Sequence, residues 1–126
     1  MKPWFRTTLF LTAFNNFLGS LVFFPPFFLL RRLLGFPISH SFFLGVLWFY
    51  ILLFGLVYAY FAIRAKADRS LIVVGLLGKA FFALYLLYFG ISGQIPWLAA
   101  LSGLPDLLFA FLFMLWLLET RKQSQA

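Results

Sequence analysis

The stretch GLLGKAFFALY, residues 75–85, holds a lysine where a lysine is costly: Lys79 stands inside an apolar run that lasts from Ser70 to Gly90. Two further apolar runs carry polar groups of complementary chemistry, Asp106 in PDLLFA and the pair Asn15 and Asn16 in FNNFLGS. An ammonium, a carboxylate and two amides can close an ion pair and hydrogen-bond it. At the centre of a membrane helix, a lone lysine or aspartate costs roughly 2.5–3.5 kcal/mol. Pairing removes much of that cost, since each partner supplies charge and hydrogen bonds to the other. Such a pair has two uses. It can staple helices in register. It can also floor a cavity in which Lys79 attracts an anionic or carbonyl group and Asp106 exchanges a proton or accepts a hydrogen bond.

The elements that must bring these groups together are membrane helices by composition. Of the 126 residues, 64% are hydrophobic and 10% charged, against roughly 45–50% and about 25% in soluble domains. Four segments are long enough to span a hydrocarbon core of ~30 Å: about 7–24, 41–63, 70–90 and 97–118. The fold class expected is therefore an all-α membrane protein, a single four-transmembrane-helix bundle over residues 1–126. The start MKPWFRTTLFLTAF imitates a signal peptide but lacks a small-residue cleavage site, and reads as a retained first helix that Pro25 and Pro26 stop. The connection PPFFLLRRLLGFPISH is itself apolar, with Arg31 and Arg32 at its centre. It is expected to lie in the membrane interface with both arginines toward headgroups, with a re-entrant turn as the alternative.

The net charge of +7 would suggest nucleic acid in a soluble protein. Here the basic residues flank apolar segments, which marks orientation, and no nucleic-acid partner is expected. Lys2 and Arg6, then Arg64, Lys66 and Arg69, then Arg121 and Lys122 fall on one side, leaving Arg31 and Arg32 on the other. The richer side is expected to be cytoplasmic, with both termini in. Trp4, Trp97 and Trp116 near helix ends read as interfacial anchors.

Helical spacing gathers the small and polar residues into stripes: Thr8, Thr12, Asn15 and Gly19 in the first helix; Gly75, Gly78, Lys79, Ala83 and Gly90 in the third; Ala99, Ser102, Gly103, Asp106 and Ala110 in the fourth. Small residues mark faces where membrane helices approach closely, so these stripes should point inward. Lys79 is nine residues past Ser70 and Asp106 nine past Trp97, placing each about 13–14 Å from opposite membrane surfaces. Asn15 reaches the same level. The tight SGQIPW turn makes the third and fourth helices antiparallel neighbours. The expected cluster is thus a Lys79–Asp106 pair with Asn15 bonded to one partner. Asn16, about 100° around the helix, and Ser102 lie at its edge. Pro105 also leaves the Leu101 carbonyl without its helical donor.

Other chemistries find few residues. With no cysteine, disulfides, thiolate metal sites and dithiol redox chemistry are excluded. His40 is the sole histidine, and the acids are Asp68, Asp106 and Glu119, so neither a metal ligand set nor a catalytic dyad is apparent, and no cofactor is implied. The tyrosines read as packing or interfacial residues. A small multidrug exporter has about this length and helix number, but its first helix would carry an embedded acid where this chain has Asn15 and Asn16.

Four patterns together, FNNFLGSLVFFPP, VGLLGK, SGQIPW and PDLLFA, resemble a group of small bacterial four-helix inner-membrane proteins comparable to DoxX-like proteins. The resemblance implies a four-helix bundle in a bacterial inner membrane, with Lys79 and Asp106 inside recurring motifs, and it brings no known reaction. The lipid bilayer is the expected surrounding, and a small or lipid-like molecule bound or transported at the cluster is the leading expectation. An accessory subunit of a membrane complex or a homo-oligomer, with the pair purely structural, is the alternative, and an enzyme ranks last.

Overall fold

The computed structural model describes residues 1–124, which form six helices and no strand: α1 (Pro3–Phe23), α2 (Leu29–Leu34), α3 (Ser41–Arg64), α4 (Arg69–Ile91), α5 (Trp97–Leu101) and α6 (Leu104–Ser124). Three stretches, Ser41–Arg64, Arg69–Ile91 and Trp97–Arg121, are long and apolar enough to cross a membrane. The expected first span corresponds to α1. It has 21 residues, but Arg6, Thr7, Thr8, Thr12, Asn15 and Asn16 make it more polar than the others. It also starts earlier than expected, because Pro3 suits a first-turn position where the missing N–H costs nothing.

The long helices pack as two antiparallel pairs, α1 with α3 and α4 with α6. Arg6 near the start of α1 donates through Nε to the Ala62 carbonyl near the end of α3 (2.8 Å), while Phe24 meets Trp48 at the other end. The two pairs join where α1 touches α6. A core shared by all four lies toward the N-terminal end of α1: Phe5, Leu9, Tyr58, Ile72, Phe113 and Trp116 are buried there, with Phe5 stacked on Trp116 at 4.4 Å. Trp116 is therefore a core residue, not an interfacial anchor. Its ring finds more apolar surface against Phe5 than at the helix end, and Arg69 lies above it at 5.7 Å. Thr8 and Thr12 tolerate burial because each hydroxyl donates to the carbonyl one turn back, at 2.9 and 2.7 Å.

Two expectations about connections change. The fourth predicted helix, 97–118, is broken at Ser102 and Gly103 into α5 and α6. Pro105 has no N–H for the Leu101 carbonyl and its ring crowds the preceding turn, so a new helix starts instead of the old one continuing. In the first connection Arg31 does not turn to headgroups. Its guanidinium donates to the carbonyls of Val22 (3.0 Å), Phe24 (2.7 Å), Pro25 (3.0 Å) and Phe27 (3.1 Å). The last carbonyls of any helix lack intrahelical donors, and Pro25 and Pro26 have no N–H to offer here. Arg31 supplies five N–H groups in a fork at the place that lacks them. Arg32 remains exposed, over the Phe28 ring at 4.7 Å. The loop between α3 and α4 is closed by Asp68, whose carboxylate accepts from the Leu71 N–H (3.0 Å) as the N-cap of α4.

The outer faces of the long helices are apolar, with Phe14, Phe43, Leu77 and Phe111 all exposed. Lys2 pairs with Glu119 beside the terminal ends of α1 and α6. The side chain of Lys122, counted with the basic tail, lies outside the described ones.

Candidate functional site

Each polar group reaches the cluster for a local reason. Lys79 projects from the same face of α4 as Gly75, one turn further on, and the Tyr58 side chain of α3 reaches across to Gly75, where an added Cβ would overlap the Tyr58 hydroxyl oxygen. Asp106 sits in the first turn of α6, a position created by the break at Pro105, where the positive end of the helix favours a carboxylate. Gly103 lets that turn settle on α4, since a Cβ there would approach the Ala83 backbone to 3.2 Å. Asn15 and Asn16 come from mid-α1.

The geometry is a compact network. Lys79 Nζ donates to Asp106 Oδ1 at 2.7 Å and to Asn16 Oδ1 at 2.8 Å. Asn15 Nδ2 donates to the same Asp106 oxygen at 3.3 Å, and Asn16 Nδ2 donates to the Ile51 carbonyl at 3.0 Å. The ammonium also lies over the Tyr58 ring at 5.6 Å and the Phe109 ring at 5.8 Å. Both faces contribute cation–π attraction of order 0.5–2 kcal/mol. Lys79 is 8% exposed and the Asp106 side chain 15%, so the carboxylate is the more open partner.

The structure thus brings Lys79, Asp106, Asn15 and Asn16 together. Asn16 is a full member and holds the shorter bond of the two amides, because the long lysine side chain reaches sideways to it. Ser102 is not brought to the cluster. The helix break ends α5 at that point, and its hydroxyl donates to the Ala99 carbonyl at 2.6 Å. Tyr58 and Phe109 were missed from the sequence, although the signals are present. Phe109 is three residues past Asp106 and so on the same face, and Tyr58 stands three residues past Gly55 and four before Ala62, on the face of α3 that carries both small residues.

Beside the network lies a cavity of about 400 Å³ between α1, α3 and α4, with Asp106 reaching it from α6. It exists because α3 and α4, though consecutive, do not pack along their length, and the Tyr58 side chain meets α4 at Gly75 at one end of the gap. Its rim includes exposed Tyr50, Val74 and Phe81, so it opens sideways between the two helices. Two hydrogen-bonding positions of the pair are unused among the described residues: the third N–H of Lys79 and the Oδ2 oxygen of Asp106. No group of three or more His, Cys, Asp or Glu capable of holding a metal ion occurs among the described residues.

Comparison of the chain with protein-family models, with curated proteins and with solved structures finds no match.

Proposed function

We propose that this chain is an integral membrane protein with α1 as the fourth span beside the three apolar ones, and that it binds or carries a small lipid-like molecule in the lateral cleft. On this reading both termini face the cytoplasm of a bacterial inner membrane. The observation that carries the proposal is the placement of a charge-balanced polar network on the wall of an otherwise apolar cavity that opens between two helices. A pair that served register alone would be expected under packed side chains. The apolar outer faces fit lipid contact, and the basic residues near Arg6, Arg64 and Arg69 fit the positive-inside pattern.

One observation favours a second reading. No buried side-chain nitrogen or oxygen lacks a hydrogen-bond partner among the described residues, so the network is complete enough to act as a structural staple in an accessory subunit or homo-oligomer. The two readings separate in one experiment. Protein reconstituted in lipid nanodiscs is extracted, and the retained small molecules are compared by mass spectrometry with those of Gly78→Phe, which puts a ring into the cleft. A species enriched over bulk lipid in the wild type and lost in the variant supports binding. Identical profiles refute it and leave the staple.

A further inference from the structure

From the same cleft we infer the ligand's chemical class: an uncharged single-chain amphiphile whose head both accepts and donates a hydrogen bond, most simply a long-chain alcohol. This rests on the binding reading above and goes beyond it.

Three properties of the cleft select that class. The first is charge. Lys79 and Asp106 stand 2.7 Å apart and cancel, so a charged head is drawn by one partner and repelled by the other. A carboxylate or phosphate taking the free N–H of Lys79 would stand beside the Asp106 carboxylate, and an ammonium taking Asp106 Oδ2 would stand beside Lys79. Either head brings an uncompensated charge into an apolar site whose own charges already cancel, which is strongly unfavourable. The second is hydrogen-bond direction. Lys79 keeps one N–H to give and Asp106 keeps Oδ2 to receive. A hydroxyl answers both, accepting from Lys79 and donating to Asp106. A ketone or ester leaves the carboxylate oxygen unanswered.

The third property is shape. About 400 Å³ lies at the small end of the roughly 300–1,000 Å³ usual for ligand pockets and is too little for a two-chain phospholipid. The walls away from the polar group are apolar: Phe23, Leu47, Ile51, Phe54 and Phe82. From Tyr58 to Leu47 along α3 is about 16 Å at 1.5 Å per residue, which suits one extended chain of dodecyl length. Gly78 faces this space, and a Cβ placed on it would meet nothing within 4 Å. A ring at that position would occupy the ligand's volume without striking the protein backbone.

The test uses the full chain in lipid nanodiscs, at a pH where dodecanoic acid is ionised and dodecylamine protonated, with four probes of equal chain length: dodecan-1-ol, dodecanoic acid, dodecylamine and dodecane. Saturable binding is read from the shift in unfolding temperature and from displacement of a tritiated dodecanol tracer, in the wild type and in Gly78→Phe. The expected result is saturable binding of the alcohol, at least tenfold tighter than that of the acid, the amine or the alkane, and its loss in Gly78→Phe. The variant should unfold no earlier than wild type without probe, and if it does, Gly78→Leu replaces it. If the acid, the amine or the alkane binds as tightly as the alcohol and the variant still blocks it, the head-group assignment is overturned while the binding cleft stands. If no probe binds saturably, or the folded variant binds like wild type, the assignment and the binding reading fall together.

Discussion

Removing one member of the Lys79–Asp106 pair should cost more than removing both. In Lys79→Met, Asp106 loses its 2.7 Å charge-assisted bond and keeps only the Asn15 amide at 3.3 Å, while Asn16 Oδ1 loses its donor. Breaking a buried pair on one side typically costs about 3–5 kcal/mol. The 15% exposure of Asp106 toward the cleft argues for the lower end, about 3 kcal/mol. In Asp106→Leu the ammonium keeps Asn16 and the Tyr58 and Phe109 rings, so about 2–3 kcal/mol is expected. The double variant Lys79→Met/Asp106→Leu replaces the pair with apolar groups of similar size. Only the amides are left short of partners, at about 1–2 kcal/mol. The cycle should therefore show a coupling of about 3–5 kcal/mol, at or above the top of the range of roughly 0.5–3 kcal/mol usual for contacting residues. Equilibrium unfolding of the four proteins in mixed micelles measures it. Losses that add within ~0.5 kcal/mol would refute the reasoning that each charge is held by the other.

Arg31→Ala should destabilise the end of α1 by about 2–3 kcal/mol, since four carbonyls lose a charged donor. Arg31→Lys should recover less than half, because an ammonium cannot fork across that set, and hydrogen exchange at residues 20–28 reports both. Gly75→Ala should cost roughly 1–3 kcal/mol by driving a methyl into the Tyr58 hydroxyl. Adding Tyr58→Phe should relieve most of it in the same unfolding assay, and no relief would mean that the crowding lies elsewhere. Because the chain has no cysteine, single replacements test topology directly. Lys66→Cys and Ser39→Cys should be labelled by an impermeant maleimide from opposite faces of sealed vesicles, and labelling from the same face would contradict the four-span reading.

The level and partners of Lys79 were legible because helical rise and small-residue spacing are local properties. Nine residues from each end of an apolar run place Lys79 and Asp106 alike, and the break at Ser102 and Gly103 is short enough to leave the two groups in contact. What resisted was anything set by long side chains or by groups that break a helix. The 100° offset that put Asn16 at the edge ignored the reach of a lysine side chain. Arg31 looked like a headgroup ligand because its true partners are backbone carbonyls, which no residue pattern displays. Pro105 was recognised as removing a donor, yet treating 97–118 as one helix kept Ser102 on the Asp106 face and so in the cluster. The splay of α3 from α4 also has no sequence mark. The gap between them, bounded by Tyr58 against Gly75, is set by how each helix packs on its other partner, α3 on α1 and α4 on α6.

Chain order gives the polar network a history. Synthesis runs from the N-terminus, so Asn16 is made first, Lys79 some sixty residues later and Asp106 last. The hydrogen bond from Lys79 to Asn16 joins two residues that both exist before the counter-ion is made. During that interval the Asn16 amide and the Tyr58 ring, both made before Lys79, are the groups of the finished site that can shelter the ammonium until α6 is made. Asn16 is thus a partner open to Lys79 before the counter-ion is made as well as in the finished pair.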